Sequence, residues 1–212
     1  MKRLDSIKDL QKKANEMRQD LIRMLARAGS GHSAGPLDLA DVMAALYFNL
    51  LNHNPRDPHW PERDRLIFSA GHTTPIRYVA MAHSGYFPKG WLNKLRQFGS
   101  PLQGHPSRDF LSAIETSTGP LGQGISVAAG MALGALLDQK QYYVYTVMSD
   151  GELNEGQCWE AFMFAAKYKL RNLIVFVDRN HIQIDGRTEE IMPLDPLKDK
   201  LQDFGWHCMS ID

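Results

Sequence analysis

The segment Tyr142–Val177 decides the fold of this chain, and its sequence is YYVYTVMSDGELNEGQCWEAFMFAAKYKLRNLIVFV. Its start, Tyr142–Met148, is aromatic and β-branched without charge, which predicts a buried strand. Its end, Leu173–Val177, has no polar residue and predicts a strand covered on both faces of a sheet. Strand, helix and strand within about 35 residues predict a βαβ unit with parallel strands and a right-handed crossover. The helix between them is indicated by apolar residues at helical spacing, namely Trp159, Phe162, Met163, Ala166 and Leu170.

Apolar periodicity predicts three further helices outside this unit, over residues 5–28, 37–51 and 125–137. A short apolar run, Leu66–Ser69, predicts another strand. Together these elements favour the α/β class, with a parallel sheet flanked by helices on both faces. We expect one domain over residues 1–212.

The composition excludes several classes of protein. Lysine plus arginine and aspartate plus glutamate each number 24, so the net charge is zero, which argues against nucleic acid or an anionic membrane as a partner. The two cysteines, Cys158 and Cys208, indicate neither a disulfide framework nor a zinc site. Basic residues interrupt the N-terminal apolar positions, and no window approaches the roughly eighteen apolar residues of a membrane span. We therefore expect a cytoplasmic protein.

Polar residues follow each of the three predicted strands. Ser69–His72 follows the first, Ser149–Glu152 the second and Asp178–Ile182 the third. Ligands of open α/β sheets bind beyond the carboxyl ends of the strands. We therefore expect a functional site where these three segments converge.

Asp150 and Asn180 are the candidate metal ligands of that site. They lie 30 residues apart, which is one crossover between parallel strands. Carboxylate and amide oxygens suit Mg²⁺, which keeps phosphate oxygens in its remaining positions. Gly151 would let the backbone approach a phosphate, and a helix beginning near Gly156 would direct free N–H groups to the same region. The alternative is a turn at Asp150-Gly151 and a loop cap at Asn180, but the spacing after two buried strands favours a metal–diphosphate site.

The spacing also indicates a family. Ser149-Asp-Gly151, followed after 27 residues by Arg179-Asn180, is similar to the thiamine-diphosphate fingerprint, usually Gly-Asp-Gly and then Asn-Asn. This sequence differs from the usual fingerprint at Ser149 and Arg179. We expect both differences to be compatible with the cofactor site, with the Arg179 side chain pointing to solvent or to a neighbouring subunit. The chain resembles the diphosphate-binding domain of transketolase through Asp150–Gln157, Trp159–Ala161, Asn180–Gly186, Gly119–Gly124 and the pairs Gly31-His32, Gly71-His72 and Gly104-His105.

This resemblance implies which residues bind the cofactor and its metal ion. On pattern alone, Gly119–Gly124 is equally a glycine-rich turn before a helix, and it lacks the lysine of a P-loop. Glu155 could simply be a charged residue on the exposed face of a helix, but the resemblance implies a carboxylate that forms hydrogen bonds at a subunit interface. The implied ligands of Mg²⁺, or of another divalent cation such as Ca²⁺ or Mn²⁺, are Asp150, Asn180 and Ile182. The implied contacts to thiamine diphosphate are Gly119, Leu121, Gly151, Glu155, Asn180, Ile184 and His72.

The histidines divide into two groups. Neutral imidazoles pass protons between hydroxyl groups of a sugar. By resemblance, the three that follow a glycine line the channel to the cofactor and are the catalytic candidates: His32, His72 and His105. A lone histidine is more often a surface or core residue, which is our interpretation of His53, His59, His83 and His207. No zinc spacing such as His-Glu-x-x-His is present.

The implied activity is transfer of a two-carbon ketol unit from a ketose (phosphate) to an aldose (phosphate). The family's activating glutamate lies on a separate pyrimidine-binding domain, for which 212 residues leave no room. We therefore expect the N-terminal subunit of a split transketolase, inactive alone, with a separate C-terminal subunit in a homodimer or heterotetramer.

Two alternatives to this interpretation stay open. The family's domain continues past the point matching Phe204–Asp212, so we expect the last elements to be missing. A truncated, non-catalytic remnant or regulatory subunit is therefore one alternative. Another thiamine-diphosphate enzyme, of the deoxyxylulose-phosphate synthase or pyruvate dehydrogenase E1 type, is the other.

Overall fold

The computed structural model describes residues 3–211. The helices are α1 (Ile7–Ala28), α2 (Ala34–Asp38), α3 (Ala40–Ala45), α4 (Thr74–Ser84), α5 (Gln123–Leu137), α6 (Gly156–Lys167), α7 (Thr188–Ile191) and α8 (Leu197–Asp203). The strands are β1 (Arg65–Phe68), β2 (Val144–Ser149), β3 (Leu173–Asp178), β4 (Ile182–Gln183) and β5 (Gly186–Arg187). β1, β2 and β3 form a parallel sheet in that order, and β4 pairs with β5 as a small antiparallel hairpin. No helix of the described part of the chain has the length and apolar character needed to cross a membrane.

The βαβ unit predicted from the sequence is confirmed. β2, α6 and β3 follow one another, and β2 pairs with β3 in parallel from Val144 beside Leu173 to Ser149 beside Asp178. Every residue of β2 is buried. The strand begins at Val144 rather than Tyr142, because Arg65 pairs with Val144 and the preceding Tyr143 is 46% exposed.

Helices cover both faces of the sheet, so the predicted architecture is confirmed. Successive side chains of a strand point to opposite faces. Leu66 and Phe68 of β1 therefore lie in a core shared with α1, α3 and α4, whereas Ile67 lies in a second core with α5 and α6. β2 alternates in the same way, with Tyr145 and Val147 in the first core and Val144 and Met148 in the second.

β3 is less covered than its apolar sequence predicts. Phe176 packs on the first core and Val177 on the second, but both stay half-buried. β3 lies at one edge of the three-stranded sheet, with β2 as its paired neighbour.

The prediction of one helix over residues 37–51 is wrong. The helical region begins earlier, at Ala34, and divides into α2, α3 and a π-helical segment, Leu46–Leu50. The prediction of a helix over residues 5–28 is confirmed by α1. Its N-cap Ser6 accepts a hydrogen bond from the backbone of Asp9, and Gly29 ends it with φ +65°.

A buried ionic cluster anchors the long irregular segment between α4 and α5. The Glu115 carboxylate pairs with the guanidinium groups of Arg63 and Arg77, and all three residues are buried. Burial opposes the charged carboxylate, but Arg77 and Arg63 outweigh it and hold the pKa of Glu115 below its usual value. Glu115 therefore connects the segment that carries His105 to β1 and α4.

We predict that Glu115→Ala lowers the free energy of unfolding by about 3–5 kcal/mol, because two guanidinium groups are left buried without their partner. Urea denaturation measures the change. The control is Glu62→Ala, which removes a surface ion pair with Lys140 and should cost about 0–1 kcal/mol. Equal losses in the two variants would show that the buried cluster does not anchor the segment.

Candidate active site

The segments that follow the three parallel strands meet at one edge of the sheet. Ser149 pairs with Asp178, and the next backbone N–H, that of Asp150, donates to the Asp178 carbonyl at 3.0 Å. Ser69, directly after β1, donates its N–H to the Val147 carbonyl at 2.9 Å. The parallel register therefore brings the polar residues after all three strands to a common edge.

The Asp150 carboxylate is fully buried at this edge, and its two oxygens differ. Oδ2 accepts three hydrogen bonds, from Arg179 Nη1 at 2.8 Å, the His181 N–H at 2.9 Å and Thr188 Oγ1 at 3.3 Å. Oδ1 accepts one, from the Gly151 N–H at 2.8 Å. Oδ1 is therefore the oxygen with lone-pair capacity left for a cation.

Asn180 presents its amide oxygen beside the same edge. Its Nδ2 donates to Asp178 Oδ2 at 3.2 Å, and its Oδ1 accepts the Ile182 N–H at 2.9 Å. An amide oxygen has two lone pairs, so one stays available. A carboxylate, an amide oxygen and a backbone carbonyl such as that of Ile182 are ligands of the kind that Mg²⁺, Ca²⁺ and Mn²⁺ take, so the chemistry of these residues fits a hard cation.

This donor set needs oxygens from a ligand to complete it. Within residues 3–211, no group of three or more His, Cys, Asp or Glu side chains is placed to hold a metal ion. A cation bound here would therefore rely on amide and backbone oxygens and on a ligand such as a diphosphate.

Asp178 is a further acid of this edge, which belongs to the polar segment Asp178–Ile182 but was given no role of its own from the sequence. Burial raises its pKa to about 6, with Asp38 and Asp150 acting in the same direction and the Asn180 amide opposing them. The Asp178 carboxylate accepts a hydrogen bond from the amide nitrogen of Asn180.

The three candidate catalytic histidines converge beside the end of β1. The rings of His32 and His72 lie 5.0 Å apart between centroids, at an angle of 64°. Burial, followed by the charges of His32 and His105, lowers the pKa of His72 to about 4. Burial also lowers the pKa of His105, with His32 and Arg96 adding to the effect. His72 is therefore a neutral imidazole near pH 7, a form that both donates and accepts hydrogen bonds.

The glycine-rich turn predicted to hold the cofactor lies against these histidines. A Cβ added to Gly71 would lie 3.0 Å from the Gly119 nitrogen, and one added to Gly119 would lie 3.6 Å from the His105 ring. The apolar side chains of Leu121 and Ile184 are 37% and 89% exposed. Ile184 has φ +53°, which is strained for a β-branched residue and is typical of functional sites.

Gly151 and Glu155 lie at the start of the helical segments after β2. A Cβ added to Gly151 would lie 3.2 Å from Cγ of Gln183, so the Gln183 side chain covers this glycine. Oε1 of Gln183 is buried without a hydrogen-bond partner among the described residues. Glu155 is exposed as the N-cap residue of α6.

The expectation that Arg179 points to solvent or to a neighbouring subunit is wrong. Its guanidinium turns inward and pairs with Asp150, Glu189 and Asp195. The negative charges of these three carboxylates attract the positively charged Arg179 guanidinium and keep it against the protein at the end of β3.

Glu152 is a second residue that sequence reasoning missed, although it lies inside the Asp150–Gln157 motif. It is fully buried, and its Oε2 accepts hydrogen bonds from Ser69 Oγ at 3.2 Å and the Gly122 N–H at 3.3 Å. Ser69 Oγ in turn accepts the Gly124 N–H at 3.1 Å. Glu152 therefore connects the ends of β1 and β2 to the glycine-rich turn.

The four histidines predicted to be surface or core residues have such positions. His53 contacts the Tyr86 hydroxyl at 2.9 Å and the Tyr47 carbonyl at 2.8 Å, and His83 contacts Asp20 at 2.8 Å. His59 and His207 are exposed.

We predict that Glu152→Gln stabilises the protein more at pH 8 than at pH 5. Burial raises the pKa of Glu152 to about 7, against the opposing hydrogen bonds from Gly122 and Ser69. The stability that this proton contributes is present below the unfolded pKa of 4.5 and is lost as the pH rises through about 7. A neutral glutamine removes that loss.

Urea denaturation at the two pH values measures the difference. The control is Glu160→Gln, at an exposed position of α6, whose effect should be equal at both pH values. A pH-independent effect of Glu152→Gln would contradict the raised pKa.

Comparison with known proteins identifies the family. The model of the transketolase thiamine diphosphate-binding domain matches residues 10–212. The chain is 48% identical over 204 residues to a 6-deoxy-6-sulfo-D-fructose transketolase subunit of Clostridium sp. (strain MSTE9), covering 96% of this chain and 74% of that protein. It is 37% identical to an apulose-4-phosphate transketolase subunit of Phocaeicola vulgatus, covering 97% of this chain and 73% of that one.

A solved structure gives the same result for the fold. The crystal structure of transketolase from Campylobacter jejuni superposes with a TM-score of 0.89 at 36% identity, covering 94% of this chain and 32% of that chain. The chain thus spans about three quarters of the two subunits and about one third of this transketolase. Because the family model and the fold agree over nearly all of its length, the chain belongs to the transketolase family and has its thiamine diphosphate-binding domain fold.

Proposed function

We propose that this chain is the N-terminal, thiamine-diphosphate-binding subunit of a two-chain transketolase. The complete enzyme transfers a two-carbon ketol unit from a ketose (phosphate) to an aldose (phosphate). The observation that carries the proposal is the meeting of Asp150 and Asn180 at one sheet edge. Two of its relatives are described as transketolase subunits, and this chain covers 73–74% of their length. This supports the proposal that the chain acts together with a complementary subunit.

Three residues at the ends of β2 and β3 would hold a divalent cation, Mg²⁺ by preference. They are Asp150 through Oδ1, Asn180 through its amide oxygen and Ile182 through its carbonyl, with diphosphate oxygens in the remaining positions. Gly119, Leu121, Gly151 and Ile184 would contact the cofactor. When bound, thiamine diphosphate supplies the nucleophile that cleaves a carbon–carbon bond of the ketose.

The histidine cluster would handle the substrate's hydroxyl groups. His72 is neutral at physiological pH because burial lowers its pKa to about 4, and the pKa of His105 is lowered as well. Each neutral ring accepts a proton at one nitrogen and donates from the other. With His32, these rings would orient the sugar and move protons between its hydroxyls and their own nitrogens.

The exposed apolar side chains of the site support completion by a second polypeptide. Leu121, Ile182 and Ile184 are 37%, 61% and 89% exposed. A partner that supplies the pyrimidine-binding part and the activating glutamate would cover them and contact Glu155. We place the enzyme in the cytoplasm within this proposal, because both cysteines are free.

We predict that the purified chain binds thiamine diphosphate with Mg²⁺ and turns over ketose donors only with a C-terminal subunit. Titration calorimetry measures binding, and a coupled assay of aldose phosphate release measures turnover. Asp150→Asn should weaken Mg²⁺-dependent cofactor binding beyond the roughly 100-fold upper range for residues that only support a metal ligand. The control, Asp203→Asn, changes an exposed residue of α8 and should bind as wild type does.

The outcomes separate the alternatives. Turnover by the chain alone would contradict the two-chain proposal. Cofactor binding without turnover alongside the partner would indicate a non-catalytic or regulatory subunit. Turnover of pyruvate in place of a ketose would indicate a dehydrogenase-type enzyme instead.

A further inference from the structure

The Arg179 guanidinium donates four hydrogen bonds at the site. Nη1 donates to Asp150 Oδ2 at 2.8 Å and to Thr188 Oγ1 at 3.0 Å. Nη2 donates to Glu189 Oε1 at 2.7 Å and to Asp195 Oδ1 at 3.0 Å. One planar group therefore contacts the end of β2 and both ends of the segment 188–195, a geometry that suits arginine and not lysine.

The segment 188–195 is organised around the same contacts. Thr188 is fully buried and donates its hydroxyl to Asp150 Oδ2 at 3.3 Å and its N–H to the His181 carbonyl at 3.0 Å. Glu189 Oε1 also accepts the N–H groups of Leu194 at 3.0 Å and Asp195 at 3.3 Å. Glu189 thus connects the two ends of the segment 188–195, and Arg179 connects the segment to Asp150 at the sheet edge.

The charges around Arg179 explain how its positively charged guanidinium can lie beside Asp150, the proposed ligand of a metal cation. Asp150, Glu189 and Asp195 bring three negative charges to one positive charge, so the group keeps a net charge of −2. Because Glu189 and Asp195 compensate the guanidinium, Asp150 keeps its attraction for a divalent ion. Arg179 also occupies Oδ2 and leaves Oδ1 with a single hydrogen bond.

We infer that Arg179 is a positioning residue, which orients the Asp150 carboxylate toward the cation and fastens the segment 188–195 to the sheet edge. The first half of this inference rests on the proposed function, in which Asp150 binds Mg²⁺. Groups that hydrogen-bond to a ligating carboxylate fix its orientation, and their loss costs about 10–100-fold in metal affinity. The second half concerns the chain alone and does not need a bound ion.

The test compares Arg179→Met, Arg179→Lys and a matched control, Arg187→Met. Arg187 is an exposed residue of the same region, without an ion pair among residues 3–211. The probes are Mg²⁺ with thiamine diphosphate, followed by titration calorimetry, and amide hydrogen exchange of the segment 188–195 in the protein without ligands.

We expect Arg179→Met to weaken Mg²⁺ binding by about 10–100-fold and to speed exchange of the Thr188 and Leu194 amides. Arg179→Lys should restore little, because one ammonium group cannot bridge Asp150 and Glu189 in the same fork. Arg187→Met should match wild type in both measurements.

Three results would overturn the inference. Faster exchange with unchanged Mg²⁺ affinity would make Arg179 a structural link only. Tighter Mg²⁺ binding would make it a competitor of the cation. Unchanged exchange would remove its role in fastening the segment. Wild-type protein that binds no Mg²⁺ with thiamine diphosphate would instead contradict the proposed function and the orienting role, while hydrogen exchange still decides the fastening role.

Discussion

The parallel pairing of β2 with β3, with Ser149 beside Asp178, determines where each polar group of the site lies. A shift of this register by one residue would turn every side chain of the shifted strand to the other face of the sheet and separate Asp150 from Asn180. The two cores on either face of the sheet resist such a shift, because each takes every second apolar side chain of β2. The packing of the interior thus sets the geometry of the polar edge.

The edge contains two electrostatic environments. Around Asp150, carboxylates outnumber the single guanidinium, and the region favours a cation. Burial and the neighbouring imidazoles lower the pKa of His72 and keep its ring neutral, which suits exchange of protons with hydroxyl groups. Glu152 lies between the glycine-rich turn and the strand ends, and its buried carboxyl links the two regions. The site thus combines a negatively charged region around Asp150 with a region around His72 whose imidazole is neutral.

Local sequence was sufficient for β1, β2 and β3 and for the spacing of Asp150 and Asn180, because an apolar parallel strand has a recognisable composition and its end is marked by polar residues. It did not indicate the short hairpin of β4 and β5. It was not sufficient for Arg179, whose carboxylate partners come from a later segment without helical or strand periodicity. Glu152 was missed because its partner Ser69 lies 83 residues away in the chain, so no local pattern connects the two.

In the proposed function, Asp150 and Asn180 together hold the divalent ion that binds a diphosphate. Anomalous diffraction from crystals grown with Mn²⁺ and thiamine diphosphate would locate this metal independently of the protein. We expect one strong peak bonded to Asp150 Oδ1 and to the Asn180 amide oxygen, at about 2.0–2.6 Å, the range of hard-cation bonds to oxygen. A peak elsewhere on the molecule, or none at this edge with the cofactor bound, would show that the two residues do not form the metal site.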